Sequence, residues 1–368
     1  MRVEAKDNPD SSEKKLDSIC NRLTAVLDGI NVFQRRFFPP AFPELRKDLI
    51  AHRASLKQAR QELGEAQPST ELSGPWETIT VACDLMLDAI ELMLAASISD
   101  FQDIVTRAMR SFRRFCRIQE NLYPLRATSP SLNRFYLEPQ FHERIAEYES
   151  AQSHRPGVGL QHVGVEDSYY ARGALSVYVP ESYDDTKAWA LVIALHGGFG
   201  HGRDFIWTWL REARSREFIL MAPTSIDTTW SLLAPELDGA AIISMLENVK
   251  KRWNIDAEHI LLTGISDGAT YALVTALQPG SSFTAFAPVA GVLPSMNLNA
   301  VKDKRIFWVH GALDWMFPVQ SARTAVEMLE SAGADVTLRV IDDLSHTYPR
   351  EENNRILQWF EPGLALSE

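Results

Sequence analysis

A serine between small residues stands at Gly264-Ile265-Ser266-Asp267-Gly268, directly after the apolar run His259-Ile260-Leu261-Leu262-Thr263. A helical pattern follows it. Small residues on both sides allow a turn tight enough to lift a hydroxyl clear of a sheet, where a neighbouring base can make it a nucleophile. Read alone, the same five residues are also an ordinary strand-to-helix turn. What gives them chemical meaning is the set of segments found elsewhere in the chain.

The apolar run 188–195 ends in His196-Gly197-Gly198-Phe199-Gly200. A turn of this kind can present a backbone N–H to an oxyanion developing on a carbonyl. The sequence leaves Gly198 and Phe199 both open as that donor, and the N–H of Asp267 is the expected second one. His196 itself reads as structural. Further on, 305–309 is followed by His310-Gly311-Ala312-Leu313-Asp314-Trp315-Met316-Phe317-Pro318, which puts the Asp314 carboxylate at the tip of a late strand. The run 336–341 then leads through Asp342, Asp343, Leu344 and Ser345 to His346. Ser266, Asp314, His346 is the chain order of one of the three known arrangements of a serine triad. Asp342 and Asp343 compete with Asp314 for the acid, but they stand too near His346 in sequence; His201 is an alternative base that comes too early.

In the segments 195–200, 264–268, 310–318 and His346 the sequence resembles the α/β-hydrolases. Within them it is similar to the carboxylesterase/phospholipase-like and dienelactone-hydrolase-like serine esterases. The resemblance covers about 159–360, and it departs from the pattern at Ser345, where a glycine often precedes the histidine. Together with the residues it implies a carboxylic ester hydrolase working through an acyl-enzyme. Ser266 would be its nucleophile, His346 its base and Asp314 the acid orienting the base. A lysophospholipase, thioesterase or peptidase would use the same groups, and a non-catalytic binding protein on this scaffold is the alternative of another class. Phe199 and Trp315 flank the reactive turns and are candidates for an acyl pocket, with Trp230 a further one; Trp207 and Trp209 read as core.

These groups need a scaffold. From about 157 onward the runs 174–179, 188–195, 218–222, 259–263, 284–289, 305–309 and 336–341 alternate with helical patterns near 205–214, 239–253, 268–277, 321–331 and 351–360. That alternation predicts a mostly parallel sheet flanked by helices, an α/β class of fold. Before 150 the period is helical: Leu16, Ile19, Leu23, Val26, Leu27 and Ile30 repeat at three-and-four spacing. Pro39, Pro40 and Pro43 interrupt that helix. A second should run over 45–63, and a third, over 79–98, should open at Ser73-Gly74-Pro75. A fourth should start at a Ser99/Gln102 capping box. The expected organisation is a disordered 1–15, a helical domain over 16–150, a linker at 151–159 and a catalytic domain over 160–368. The helical domain would serve as its own bundle, as a cap over the site, or as the contact of a homodimer.

The chain of 368 residues is 45% hydrophobic and 23% charged, with a net charge of -11. That sign argues against nucleic acid as a partner, because phosphate binding needs clustered cations. Arg107, Arg110, Arg113, Arg114 and Arg117 read as a solvated helix face. The 79–98 stretch carries Asp84, Asp88 and Glu91 on one face, so no membrane span is expected. No leader is visible in the charged residues 1–15. The three cysteines, Cys20, Cys83 and Cys116, have no metal-like spacing and suit a reduced, cytoplasmic protein. Neither a phosphate loop nor paired metal histidines occur, so no metal or organic cofactor is expected. The expected partner is a small ester.

Overall fold

The structure is a computed structural model that describes residues 9–65, 68–146, 156–164 and 168–365. The chain divides into two compact units, Met1–Glu149 and Ser150–Glu368. Most of the expected linker, and residues 1–8, lie outside the described residues.

The first unit is built from helices α1 (Pro9–Arg36), α2 (Phe42–Glu65), α3 (Ser73–Leu94), α4 (Phe101–Leu122) and the short α5 (Pro130–Phe135). The stripe Leu16, Ile19, Leu23, Val26, Leu27, Ile30 continues through Phe33 to Phe37, and all of it is buried. Phe33 meets Phe42 edge-on at 6.4 Å and Phe37 meets Phe112 at 5.8 Å, so an aromatic cluster joins α1, α2 and α4. Two expectations shift. The helix begins at Pro9, inside the stretch expected to be disordered; a proline at the first helical position forfeits no hydrogen bond there. The cap of α4 is Asp100 rather than Ser99: its carboxylate accepts from the Asp103 N–H, while Asp103 accepts from the Ser97 N–H. Asp and Ser are equally good caps, and sequence alone does not separate neighbours. No helix among the described residues is long and apolar enough to cross a membrane.

The second unit holds strands β1 (Gly159–Val163), β2 (Leu175–Val179), β3 (Trp189–Leu195), β4 (Ile219–Pro223), β5 (Ile255–Ile265), β6 (Ala285–Val289), β7 (Arg305–Gly311) and β8 (Asp335–Ile341). Its helices are α6 (Gly202–Phe205), α7 (Leu210–Arg216), α8 (Glu236–Arg252), α9 (Asp267–Ala276), α10 (Val319–Ser331) and α11 (Asn353–Phe360). The strands form one sheet in the order β1-β2-β4-β3-β5-β6-β7-β8. β1–β2 and β2–β4 are antiparallel, and every pair from β4–β3 onward is parallel. The central strands read as unbroken apolar runs because helices cover both faces of a parallel sheet. Leu191, Ile193, Leu262, Phe286 and Trp308 are buried in that core. The helix expected over 205–214 is broken into α6, a 3-10 turn at Ile206–Thr208, and α7.

Candidate active site

β5 runs straight into α9, and the one residue between them is Ser266, with φ 56° and ψ -120°. A non-glycine residue at positive φ is strained and persists only where its surroundings hold it. Here the Ser266 N–H donates to the Val289 carbonyl at 3.0 Å, and its own carbonyl accepts from the Thr270 N–H at 2.9 Å. Gly268 is required by packing: a Cβ on it would lie 2.4 Å from the carbonyl oxygen of His196 and 2.5 Å from that of Leu195. The close approach of α9 to the end of β3 therefore needs glycine, and it brings the His196–Gly200 turn against the serine.

His346 follows β8 and Asp314 follows β7, so the ends of β5, β7 and β8 contribute one side chain each, with β6 between the first two. His346 Nε2 is 2.9 Å from Ser266 Oγ, and His346 Nδ1 is 2.9 Å from Asp314 Oδ2. The Asp314 side chain is fully buried. Its other oxygen accepts from the N–H groups of Met316 at 2.9 Å and Phe317 at 2.7 Å. Four groups thus converge on a buried carboxylate, because His310 Nε2 also lies 3.5 Å from Oδ2. Asp342 and Asp343 are exposed.

Residues 240–361, about a third of the chain, match the family model for phospholipases and carboxylesterases. The Ser150–Glu368 unit has the α/β-hydrolase fold, a mostly parallel sheet flanked by helices. Among curated proteins, this chain is 25% identical over 148 residues to a probable feruloyl esterase C of Aspergillus terreus, covering 38% of this chain and 54% of that one. It is 23% identical over 116 residues to a probable inactive carboxylesterase of Oryza sativa, covering 30% of this chain and 47% of that one. The chain therefore spans about half the length of the curated relatives it matches. Among solved structures, apo Thermogutta terrifontis esterase 2 aligns with a TM-score of 0.45 at 16% identity, over 58% of this chain and 97% of that one.

Around Ser266, the His196–Gly200 turn separates the two residues that the sequence leaves open. The Phe199 N–H donates to the Thr228 carbonyl at 2.9 Å. The N–H groups of Gly198 and Asp267 have no acceptor among the described residues. The carbonyl of Gly197 accepts from the Gly200 N–H at 2.9 Å and lies 2.7 Å from His196 Nδ1. Since His196 Nε2 accepts from the Ser225 N–H at 3.1 Å, Nδ1 is the protonated nitrogen and donates to Gly197. In a trans peptide the C=O and the next N–H point opposite ways, so this grip turns the Gly198 N–H away from His196.

Phe199 is 69% exposed with φ 57°, and the half-buried Trp315 lies 6.0 Å from the His346 ring. Trp230 is placed differently from the expectation that it lines a substrate pocket. It is 2% exposed, stacks on Tyr271 at 5.4 Å, and donates from Nε1 to the His196 carbonyl at 2.7 Å. Its indole N–H found a backbone partner in the core, as buried tryptophans usually do. His201 caps α6: Nδ1 accepts from the Arg203 N–H at 3.2 Å, leaving Nε2 to donate to the Ala171 carbonyl at 3.0 Å.

Sequence reasoning missed three contributors. Phe317 lies edge-on to His346 at 5.2 Å, Thr229 holds the Asp267 carboxylate at 2.6 Å, and His310 backs Asp314. Only His310 carried a signal, as a polar residue at the end of an apolar run. An open cavity of about 500 Å³ lies between the loop after β6 and α10, lined by Leu293, Met296, Leu298, Thr324 and Met328 among others.

Proposed function

We propose that this α/β-hydrolase is a serine-dependent carboxylic ester hydrolase that works through an acyl-enzyme. The observation that carries the reading is the relay of two 2.9 Å contacts, Ser266 Oγ to His346 Nε2 and His346 Nδ1 to Asp314 Oδ2. Ser266 Oγ attacks the ester carbonyl and His346 Nε2 takes its proton. Asp314 holds the Nδ1–H tautomer and stabilises the imidazolium. The unpaired N–H groups of Gly198 and Asp267 receive the negative oxygen of the tetrahedral intermediate. Collapse breaks the bond to the leaving alcohol, which carries off the proton from His346. Water, deprotonated by His346, then attacks the acyl-enzyme and releases the acid and Ser266.

The groups invoked all lie in the second unit, so the helical unit supplies none of this chemistry. Phe199 and Trp315 are proposed walls of the substrate site. Cys20, Cys83 and Cys116 form no disulfide among the described residues, which favours a reducing compartment such as the cytoplasm.

The test is a fluorophosphonate probe followed by a panel of p-nitrophenyl esters of increasing acyl length, with a thioester, a lysophospholipid and a peptide anilide alongside. Labelling at Ser266 with hydrolysis of oxygen esters is the expected result. No labelling and no hydrolysis would overturn the reading; cleavage of only the thioester, the lipid or the anilide would move it to that substrate class.

A further inference from the structure

Asp267 contributes two things to the site, a backbone N–H and a carboxylate, and they oppose one another. The carboxylate is fixed: its Oδ2 accepts from Thr229 Oγ1 at 2.6 Å. It also lies against the turn proposed to receive the oxyanion. A Cβ built on Gly198 would be 2.6 Å from that same Oδ2, so the Gly198 backbone packs directly on the carboxylate. The group is half-buried, and no cation pairs with it among the described residues. Arg172, on the neighbouring segment, donates to the Gly200 carbonyl at 2.9 Å and to Ser225 Oγ at 3.3 Å.

A fixed negative charge beside a developing oxyanion raises the barrier for a neutral substrate, because catalysis of this kind depends on positive potential at that oxygen. The first turn of α9 softens the effect, since the N-terminus of a helix favours a carboxylate. An asparagine would keep the bond to Thr229 without the charge. A substrate that brings a positive charge of its own would offset that penalty.

We propose that Asp267 is a specificity-determining residue that selects esters carrying a positive charge, of the ammonium kind, close to the scissile bond. This rests on the ester-hydrolase reading above. The Oδ1 oxygen has no partner among the described residues and is the acceptor such a group would meet. A cationic ester gains in the ground state and in the transition state, and it offsets the penalty that Asp267 imposes on the oxyanion.

The experiment compares two esters of nearly equal shape, butyrylcholine and 3,3-dimethylbutyl butyrate, which differ by one charge. For the wild type the ratio of kcat/KM should favour the cation by about ten-fold, between the bulk-water and protein-surface limits for a charge pair a few ångström apart. The preference should shrink as salt is raised. Asp267→Asn should bring the ratio close to one, while Asp227→Asn, an exposed carboxylate on the loop that carries Thr229, should leave it in place. A wild-type ratio near one would overturn the proposal with the esterase reading intact. So would a ratio unchanged in Asp267→Asn, or shifted equally by Asp227→Asn. If Asp267→Asn fails to fold, the wild-type ratio and its salt dependence decide alone. Hydrolysis of neither ester, nor of p-nitrophenyl butyrate, would overturn both readings.

Discussion

His310 and His346 share one oxygen: Asp314 Oδ2 lies 2.9 Å from His346 Nδ1 and 3.5 Å from His310 Nε2. The two imidazoles are not equivalent. His310 is fully buried, its Nε2–H donates to the Phe317 carbonyl at 2.8 Å, and its Nδ1 accepts from the Trp308 indole at 3.4 Å. A second proton would leave that indole without an acceptor.

Burial holds the pKa of His310 below its ordinary value of 6.5, opposed by the Phe317 carbonyl and by Asp314 and aided by His346. Its native pKa is therefore lower than that of the unfolded chain. Between the two values the unfolded chain binds more protons, so stability rises with pH there and is lost as pH falls below about 6.5. The slope from one such group is at most about 1.4 kcal/mol per pH unit. His310→Gln, which can keep the donor to Phe317, should flatten that part of the curve. Denaturant midpoints measured every half unit of pH check it, with His52, whose pKa burial also lowers, left unchanged. Superimposable curves would remove His310 from the acid response.

Ser266→Ala should cost about 10⁶ in kcat, as expected for the nucleophile of a triad. Its thermal midpoint should not fall, because the strained φ of 56° stays and no buried group is lost. An activity above about a hundredth of wild type would assign the nucleophile elsewhere.

Asp314→Asn should lower kcat by about 10⁴, since the amide favours the wrong tautomer of His346. Asp342→Asn and Asp343→Asn, both at exposed positions, should change kcat by less than about two-fold. A larger loss at either would reverse the choice of acid.

Phe199 combines positive φ with 69% exposure, a costly place for a large apolar side chain. Phe199→Gly should leave stability unchanged or raise it by up to about 1 kcal/mol, because glycine adopts φ 57° freely. The same variant should alter the dependence of kcat/KM on acyl length. Stability that drops, with an unaltered acyl profile, would mean that the ring serves packing.

Burial pushes the thiols of Cys20 up to about 12 and Cys83 up to about 11, while Cys116 is partly exposed. The thiolate is the reactive form, so a disulfide reagent at pH 8 should titrate one thiol in the native protein and three after denaturation. Rapid labelling of all three without denaturant would show that the first unit opens readily.

How far the sequence reaches depends on whether a residue's partners are local. The elbow at Ser266, the carboxylate at Asp314 and the strands β2 to β8 announce themselves through short apolar runs and turn residues. β1 was not anticipated: Gly159-Leu160-Gln161-His162-Val163 is an edge strand with no buried position, so it lacks the apolar run of its neighbours. The choice between Gly198 and Phe199 was closed to sequence, because what occupies the Phe199 N–H is the carbonyl of Thr228, which only the fold brings near. Trp230 misled for the same reason. An aromatic at a strand end lines a cleft or fills a core according to what lies across from it, and here that is Tyr271.

Among the described residues β8 is an outermost strand of the sheet, paired only with β7. The loop bearing His346 therefore hangs from an edge of the sheet. Local opening of such a border is expected at a lower free energy than global unfolding, since half its backbone ladder is absent. Mild heat or low denaturant should then silence turnover reversibly while tryptophan fluorescence from the sheet interior is still native. Proteases should find their first cut in the second unit within 335–350, and a covalent adduct on Ser266, by filling the space against His346, should delay it.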